Sequence, residues 1–202
     1  MLDKLVLDLE TSNSFADVGG KQNIHRLKIS VIGAYSYNRD EFLAFEEKDF
    51  HHFEKLLKET GALIGFSLYN FDIPVLKARF PHNFSKIKVI DLLDEVERQR
   101  GHRIGLDDLA RANIGLGKTG NGLESIELYR EGKIDELKDY CLNDVKITKD
   151  LYEFALKNGY LIIPSRYSLT PIKINVAWPN LDDYLKELEQ SHKETLSQKT
   201  LF

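Results

Sequence analysis

The chain is poor in cysteine: Cys141 is the single thiol in 202 residues. An intramolecular disulfide is therefore excluded, and so is a cysteine-rich zinc site built from this chain alone. That poverty fits a reducing compartment. No apolar run approaches the ~20 residues needed to cross a bilayer. The sequence opens almost at once on a short strand pattern, without the basic start and long apolar stretch of a secretory signal. The expectation is a cytoplasmic protein with no membrane partner. Positive charge is not in excess either, since 28 Lys and Arg stand against 32 Asp and Glu for a net charge of −4. A passive binder of nucleic acid is usually basic, so this balance argues mildly against that class. It argues less against a protein whose bound cations reverse the local charge.

What is present is an ordinary globular composition, 42% hydrophobic and 30% charged, long enough to bury a core without staples. No internal repeat or low-complexity linker interrupts it. Residues Lys4 to Leu9 read as a first strand, His25 to Tyr37 as a second and Glu41 to Phe45 as a third, with turn chemistry at Asn38-Arg39-Asp40. Together they predict an antiparallel meander. Asp49 to Thr60 has helical spacing of Phe50, Phe53, Leu56 and Leu57, and Gly61 ends it. A strand over Ala62 to Phe66, a helix over Ile73 to Arg79 and a strand over Lys88 to Leu92 follow. Short helices are expected at Gly105 to Ala112 and Leu123 to Glu131, and Ile134 to Leu156 is the clearest helix of the chain. Strands first and then strand–helix alternation predict an α/β domain, a mixed sheet flanked by helices. The domain is expected over residues 1–179, with 180–202 a polar C-terminal tail or helix.

Three short acidic motifs carry the chemistry. In Leu7-Asp8-Leu9-Glu10-Thr11 the period of two puts Asp8 and Glu10 on one face of a strand, with Leu7 and Leu9 on the other. Two neighbouring carboxylates repel unless a cation bridges them. In the stretch from Gly65 through Ser67, Asn70 and Phe71 to Asp72, the aspartate follows an apolar strand at a helix entry. Such strand ends are where α/β proteins place ligands. In Tyr140-Cys141-Leu142-Asn143-Asp144, Tyr140 and Asp144 share a helix face. Taken singly, each has a plain alternative: solvated acids at a strand end, a helix N-cap at Asp72, and an amphipathic boundary at Tyr140 and Asp144.

In this order the three motifs resemble those of the DEDD exonucleases, and the tyrosine four residues before the last aspartate resembles the DEDDy branch. The alternative branch has His five residues before that aspartate, where this chain has Asp139. Asp8 to Thr11 and Gly65 to Leu76 look like the proofreading exonuclease domain of B-family DNA polymerases. Gly122-Leu123-Glu124, continuing through Tyr129-Arg130-Glu131-Gly132 to Val145, is similar to stand-alone predicted exonucleases related to it. The resemblance spans roughly Lys4 to Asn158. It departs at Ser67, where the polymerase motif commonly has an Asn that positions the substrate end.

The resemblance implies a ribonuclease H-like fold and 3′→5′ hydrolysis of single-stranded nucleic acid from its 3′ end, with two Mg²⁺ or Mn²⁺ ions. Two such cations activate a water and stabilise the departing oxyanion, and all-oxygen ligands suit hard ions. Asp8, Glu10, Asp72 and Asp144 would be the metal ligands, with Asp72 acting through water. Tyr140 would orient the attacking water. Leu9, Thr11, Ser67, Asn70 and Phe71 would meet the terminal nucleotide, Phe71 either as a stacking platform or as core. Two rival functions stay open: a catalytically silent ribonuclease H-like module binding nucleic acid or protein, and a metal-dependent phosphohydrolase of small nucleotides. A helicase or polymerase partner is conceivable from the resemblance but unspecified by the sequence.

Other features read differently. Gly115-Leu116-Gly117-Lys118-Thr119-Gly120 lacks the first glycine of a phosphate loop, because Ala112 stands there. It reads as a loop at the rim of the site. Asp91 ends an apolar strand where it could line a cleft. Lys77, Arg79, Lys86 and Lys88 form a modest basic region, either a solvated face or a guide for a phosphate backbone.

Overall fold

A computed structural model describes residues 1–117, 122–164 and 170–199, with the backbone alone at 122–123 and 192–199. In chain order the elements are β1 (Asp3–Thr11), β2 (Ile29–Ser36), β3 (Glu41–Glu46), α1 (Phe50–Lys58), β4 (Thr60–Gly65), α2 (Asp72–Arg79) and β5 (Lys88–Asp91). They continue with α3 (Leu92–Arg100), α4 (Leu106–Ile114), α5 (Gly122–Arg130), α6 (Ile134–Asn158), β6 (Tyr160–Ile163), β7 (Ile172–Asn175) and α7 (Leu181–Lys199). Five strands form one sheet in the order β3-β2-β1-β4-β5. β1, β2 and β3 pair antiparallel, while β1 with β4 and β4 with β5 pair parallel. This is the mixed sheet flanked by helices that the strand and helix pattern predicts.

β1 is central, and both of its faces are covered. Leu5, Leu7 and Leu9 pack with Phe53, Leu56 and Leu57 of α1 and with Leu76 of α2. Val6 faces the other way, toward Val145 and Leu151 of α6 and Leu109 of α4. Alternation along the strand therefore puts Asp8 and Glu10 on the α6 side. α6 lies close to the sheet because β2 carries Gly33, the partner of Asp8 in the antiparallel register. A Cβ at Gly33 would come within 2.8 Å of Cys141 Sγ and 3.0 Å of Val145 Cγ2.

Several boundaries differ from the sequence reading. The expected second strand begins at Ile29, because Lys21–Arg26 is a 3-10 turn entered through Gly19 and Gly20, both at positive φ. The strand over Lys88 stops at Asp91, whose carboxylate accepts from Leu93 N and Asp94 N and so caps α3. β6 and β7 form a small antiparallel sheet of their own, beyond the elements the sequence pattern predicts. The polar stretch after Asn180 is the helix α7, and it carries Leu181 and Leu185 into the core. Lys118, Thr119 and Gly120 of the near phosphate-loop lie outside the described residues.

Candidate metal centre and substrate cleft

The three motifs meet where the covered face of β1 runs out. Asp8 and Glu10 of β1 and Asp144 of α6 each offer a carboxylate oxygen, and these oxygens lie within 4.8 Å of one another. Asp8 is half-buried, whereas Glu10 and Asp144 are 8% and 2% exposed. Three carboxylates this close and this dry repel strongly as a bare group. The donor set is all hard oxygen, and burial leaves little water to screen it, so the residues fit a divalent cation of the Mg²⁺ or Mn²⁺ kind. Cys141 stands beside them, its Sγ 3.5 Å from Asp8 Oδ2 and 3.6 Å from Asp8 O. Burial, and then the charge of Asp8, push its thiol well above the usual cysteine range. It therefore stays protonated and donates to Asp8 rather than acting as a thiolate ligand.

Asp72 opens α2 and is buried, outside that 4.8 Å group. The plain N-cap reading does not describe it, because the residue at the cap position is Phe71. Its Oδ1 instead accepts from Leu9 N at 3.1 Å, tying the start of α2 to the middle of β1. Burial pushes its carboxyl up to about 8, and the charges of Asp91 and Glu10 add to the rise, against hydrogen bonds from its own N–H and that of Leu9. Without a cation nearby, burial favours the protonated form of this group.

Tyr140 sits one turn before Asp144 on α6 and is buried. It is not among the residues that line the cleft. That cleft, about 680 Å³, is lined by Asp8, Glu10, Asp72 and Asp144 on its acidic side, and by Leu9, Thr11, Ser67, Asn70 and Phe71. All five residues expected to meet a terminal nucleotide therefore face the space beside the carboxylates. Phe71 is half-buried and meets Phe15 edge to face, ring centroids 6.0 Å apart, so it both lines the cleft and closes the core beneath it.

Four lining residues stand outside the predicted site: Phe15, Lys21, Phe66 and Arg103. Arg103 Nη2 donates to Ser67 Oγ at 2.9 Å. Ser67 itself has φ 73°, in the left-handed region. Asp91 holds that turn, accepting from Ser67 N at 2.8 Å and Tyr69 N at 3.0 Å while it caps α3. Asp91 is buried under the cleft floor and does not line it. Nothing local marks Arg103 or Lys21, since both stand in polar, loop-like sequence and reach the cleft only through tertiary folding.

A family model described as the RNase_H superfamily matches residues 7–156. No curated protein matches the chain. Among solved structures, the family B DNA polymerase from the hyperthermophilic archaeon Pyrobaculum calidifontis is similar over 77% of this chain, at 16% identity and a TM-score of 0.60. The match spans 25% of that polymerase chain, and the likeness is one of fold.

Proposed function

The chain belongs to the RNase_H superfamily, and from that premise we propose that it is a metal-dependent 3′→5′ exonuclease of the DEDDy type acting on single-stranded nucleic acid. The observation that carries this reading is the convergence of Asp8, Glu10 and Asp144 in one buried cluster, with Asp72 beside it in the same cleft. Asp8, Glu10 and Asp144 would hold two divalent cations, Mg²⁺ or Mn²⁺, with Asp72 in support. Bound there, the ions would polarise the phosphoryl oxygens and lower the pKa of a water.

The chain's own residues do the rest. Asp72 keeps β1 and α2 in register through Leu9 N, so the two halves of the acidic wall stay aligned. Tyr140, buried on the helix face it shares with Asp144 and behind the residues that line the cleft, would orient the attacking water through its hydroxyl. Leu9 and Thr11 bound the terminal nucleotide on the β1 side, and Ser67 and Asn70 bound it on the other. Phe71, braced by Phe15, offers its ring to a base.

The test is digestion of 5′-labelled single-stranded DNA and RNA with Mg²⁺ or Mn²⁺, beside Asp8→Ala and Asp144→Ala. A shortening ladder that vanishes in both variants is expected. A ladder retained by both would remove the carboxylates from the chemistry. No ladder in any metal would favour a silent binding module, and cleavage of a small phosphodiester alone would favour a phosphohydrolase of nucleotides.

A further inference from the structure

A second cavity, about 400 Å³, lies beside the acidic cleft and has the opposite character. Lys28, Arg79 and His25 open onto it with Ser12 and Tyr129, and Glu47 is the one acid among the described residues of its lining. Arg79 is held in place by its neighbours, its guanidinium 5.4 Å from the ring centroid of Phe50 and 5.5 Å from that of Phe80. Tyr129 is 39% exposed.

Three elements run from the acidic cleft into this cavity. At the end of β1, Thr11 lines the first and Ser12 the second. In the turn Lys21–Arg26, Lys21 faces the cleft and His25 the cavity. α2 begins at Asp72 in the cleft and presents Val75, Ala78 and Arg79 to the cavity. Seven residues of helix rise about 10 Å, which spans about three phosphates of a strand at the B-form rise of ~3.4 Å.

We propose that this cavity seats the single strand upstream of the terminal nucleotide, with Lys28 and Arg79 against backbone phosphates and Tyr129 beneath an unstacked base. The inference rests on the exonuclease reading for its direction, and it deepens it. A chain of net charge −4 needs local cations to hold a polyanion. Here they sit one short helix away from the carboxylates. Stacking on an exposed aromatic ring adds affinity for any base. Of the basic region Lys77, Arg79, Lys86 and Lys88, Arg79 is the member that faces the cavity.

The experiment compares the full chain with Lys28→Ala/Arg79→Ala, Arg79→Lys and Tyr129→Ala. Binding of a fluorescent 12-residue oligothymidylate is followed by anisotropy in EDTA across a KCl series, and hydrolysis of the 12-mer and of a dinucleotide is followed in Mn²⁺. The double variant should bind the 12-mer about tenfold more weakly. Its slope of log affinity against log salt should shrink by about 1.4, two phosphate contacts at ~0.7 each. Arg79→Lys should keep the slope, Tyr129→Ala should lower affinity without changing it, and turnover of the dinucleotide should stay within about twofold. An unchanged 12-mer affinity and slope, or an equal loss on both substrates, overturns the groove. Normal shortening with such unchanged binding leaves the exonuclease standing without it. Binding that depends on Lys28 and Arg79 with no shortening leaves the groove and removes the exonuclease, no binding by the unaltered chain beside normal shortening removes the groove alone, and neither binding nor shortening removes both.

Discussion

Ser67 sits in a backbone conformation that costs a non-glycine residue on the order of 1 kcal/mol. The turn keeps it because Asp91 accepts two of its N–H groups from below, while Arg103 meets its hydroxyl from the cleft side. Arg103 has a second, looser partner in Glu97 at 3.8 Å, so Ser67 decides where the guanidinium points. Planar and always charged, it suits a phosphate better than a lysine does. Arg103→Ala is therefore expected to raise KM for an oligonucleotide about tenfold or more, the worth of a ~1.5–3 kcal/mol hydrogen bond to a charged group. The effect on kcat should be smaller. Arg103→Lys should recover part of the loss, and Ser67→Ala should cost about twofold by loosening the guanidinium. Steady-state kinetics on one oligonucleotide checks all three, and an unchanged KM in Arg103→Ala would assign the arginine to Glu97 alone.

At the scale of elements, the acidic site depends on how closely α6 approaches the sheet. Asp144 reaches Asp8 and Glu10 only because Gly33 leaves room for Cys141 and Val145 over β2. Gly33→Ala should cost about 1–3 kcal/mol by overpacking and lower activity more than its stability loss explains, since it displaces the helix that carries Asp144. Adding Cys141→Ala should restore part of both, because it removes the closest clash. A double-mutant cycle of denaturation and rate would show non-additivity if the helix spacing is the cause. Much of this architecture was legible beforehand. The period of two across Asp8 and Glu10 and the helical stripe of α6 are local patterns, and they placed the acids on the elements where the structure has them. Other features were not local. The strands β6 and β7 pair only with each other, apart from the main sheet, so the alternation of strands and helices that marks the sheet does not reach them. The burial of α7 rests on Leu181 and Leu185 in a sequence otherwise rich in charge. Arg103, Lys21 and Phe15 join the cleft through folding alone, so no spacing along the chain announces them.

At the scale of the whole molecule, the buried carboxyl of Asp72 ties stability to pH. Burial and the neighbouring acids raise Asp72 from 3.8 to about 8 in the folded protein. The native state then holds this proton more tightly than the unfolded chain does, so unfolding between those two values releases it. The contribution to stability is complete below about pH 4 and is lost as pH rises through about 8. Metal-free protein should accordingly melt at a lower temperature at pH 8 than at pH 5, by on the order of 5–10 °C. Asp72→Asn, which carries no titratable proton, should flatten that slope. Mg²⁺ or Mn²⁺ should raise the melting temperature most at the alkaline end, where the cation replaces the proton as the neutralising charge. At a hundredfold excess over Kd the rise should reach about 5–10 °C. Thermal melts from pH 5 to pH 8, in EDTA and in Mn²⁺, check the whole set with no substrate present. A slope that Asp72→Asn leaves untouched would place the titration elsewhere in the acidic cluster. A melting temperature indifferent to both cations would show that the carboxylates of β1 and α6 hold neither.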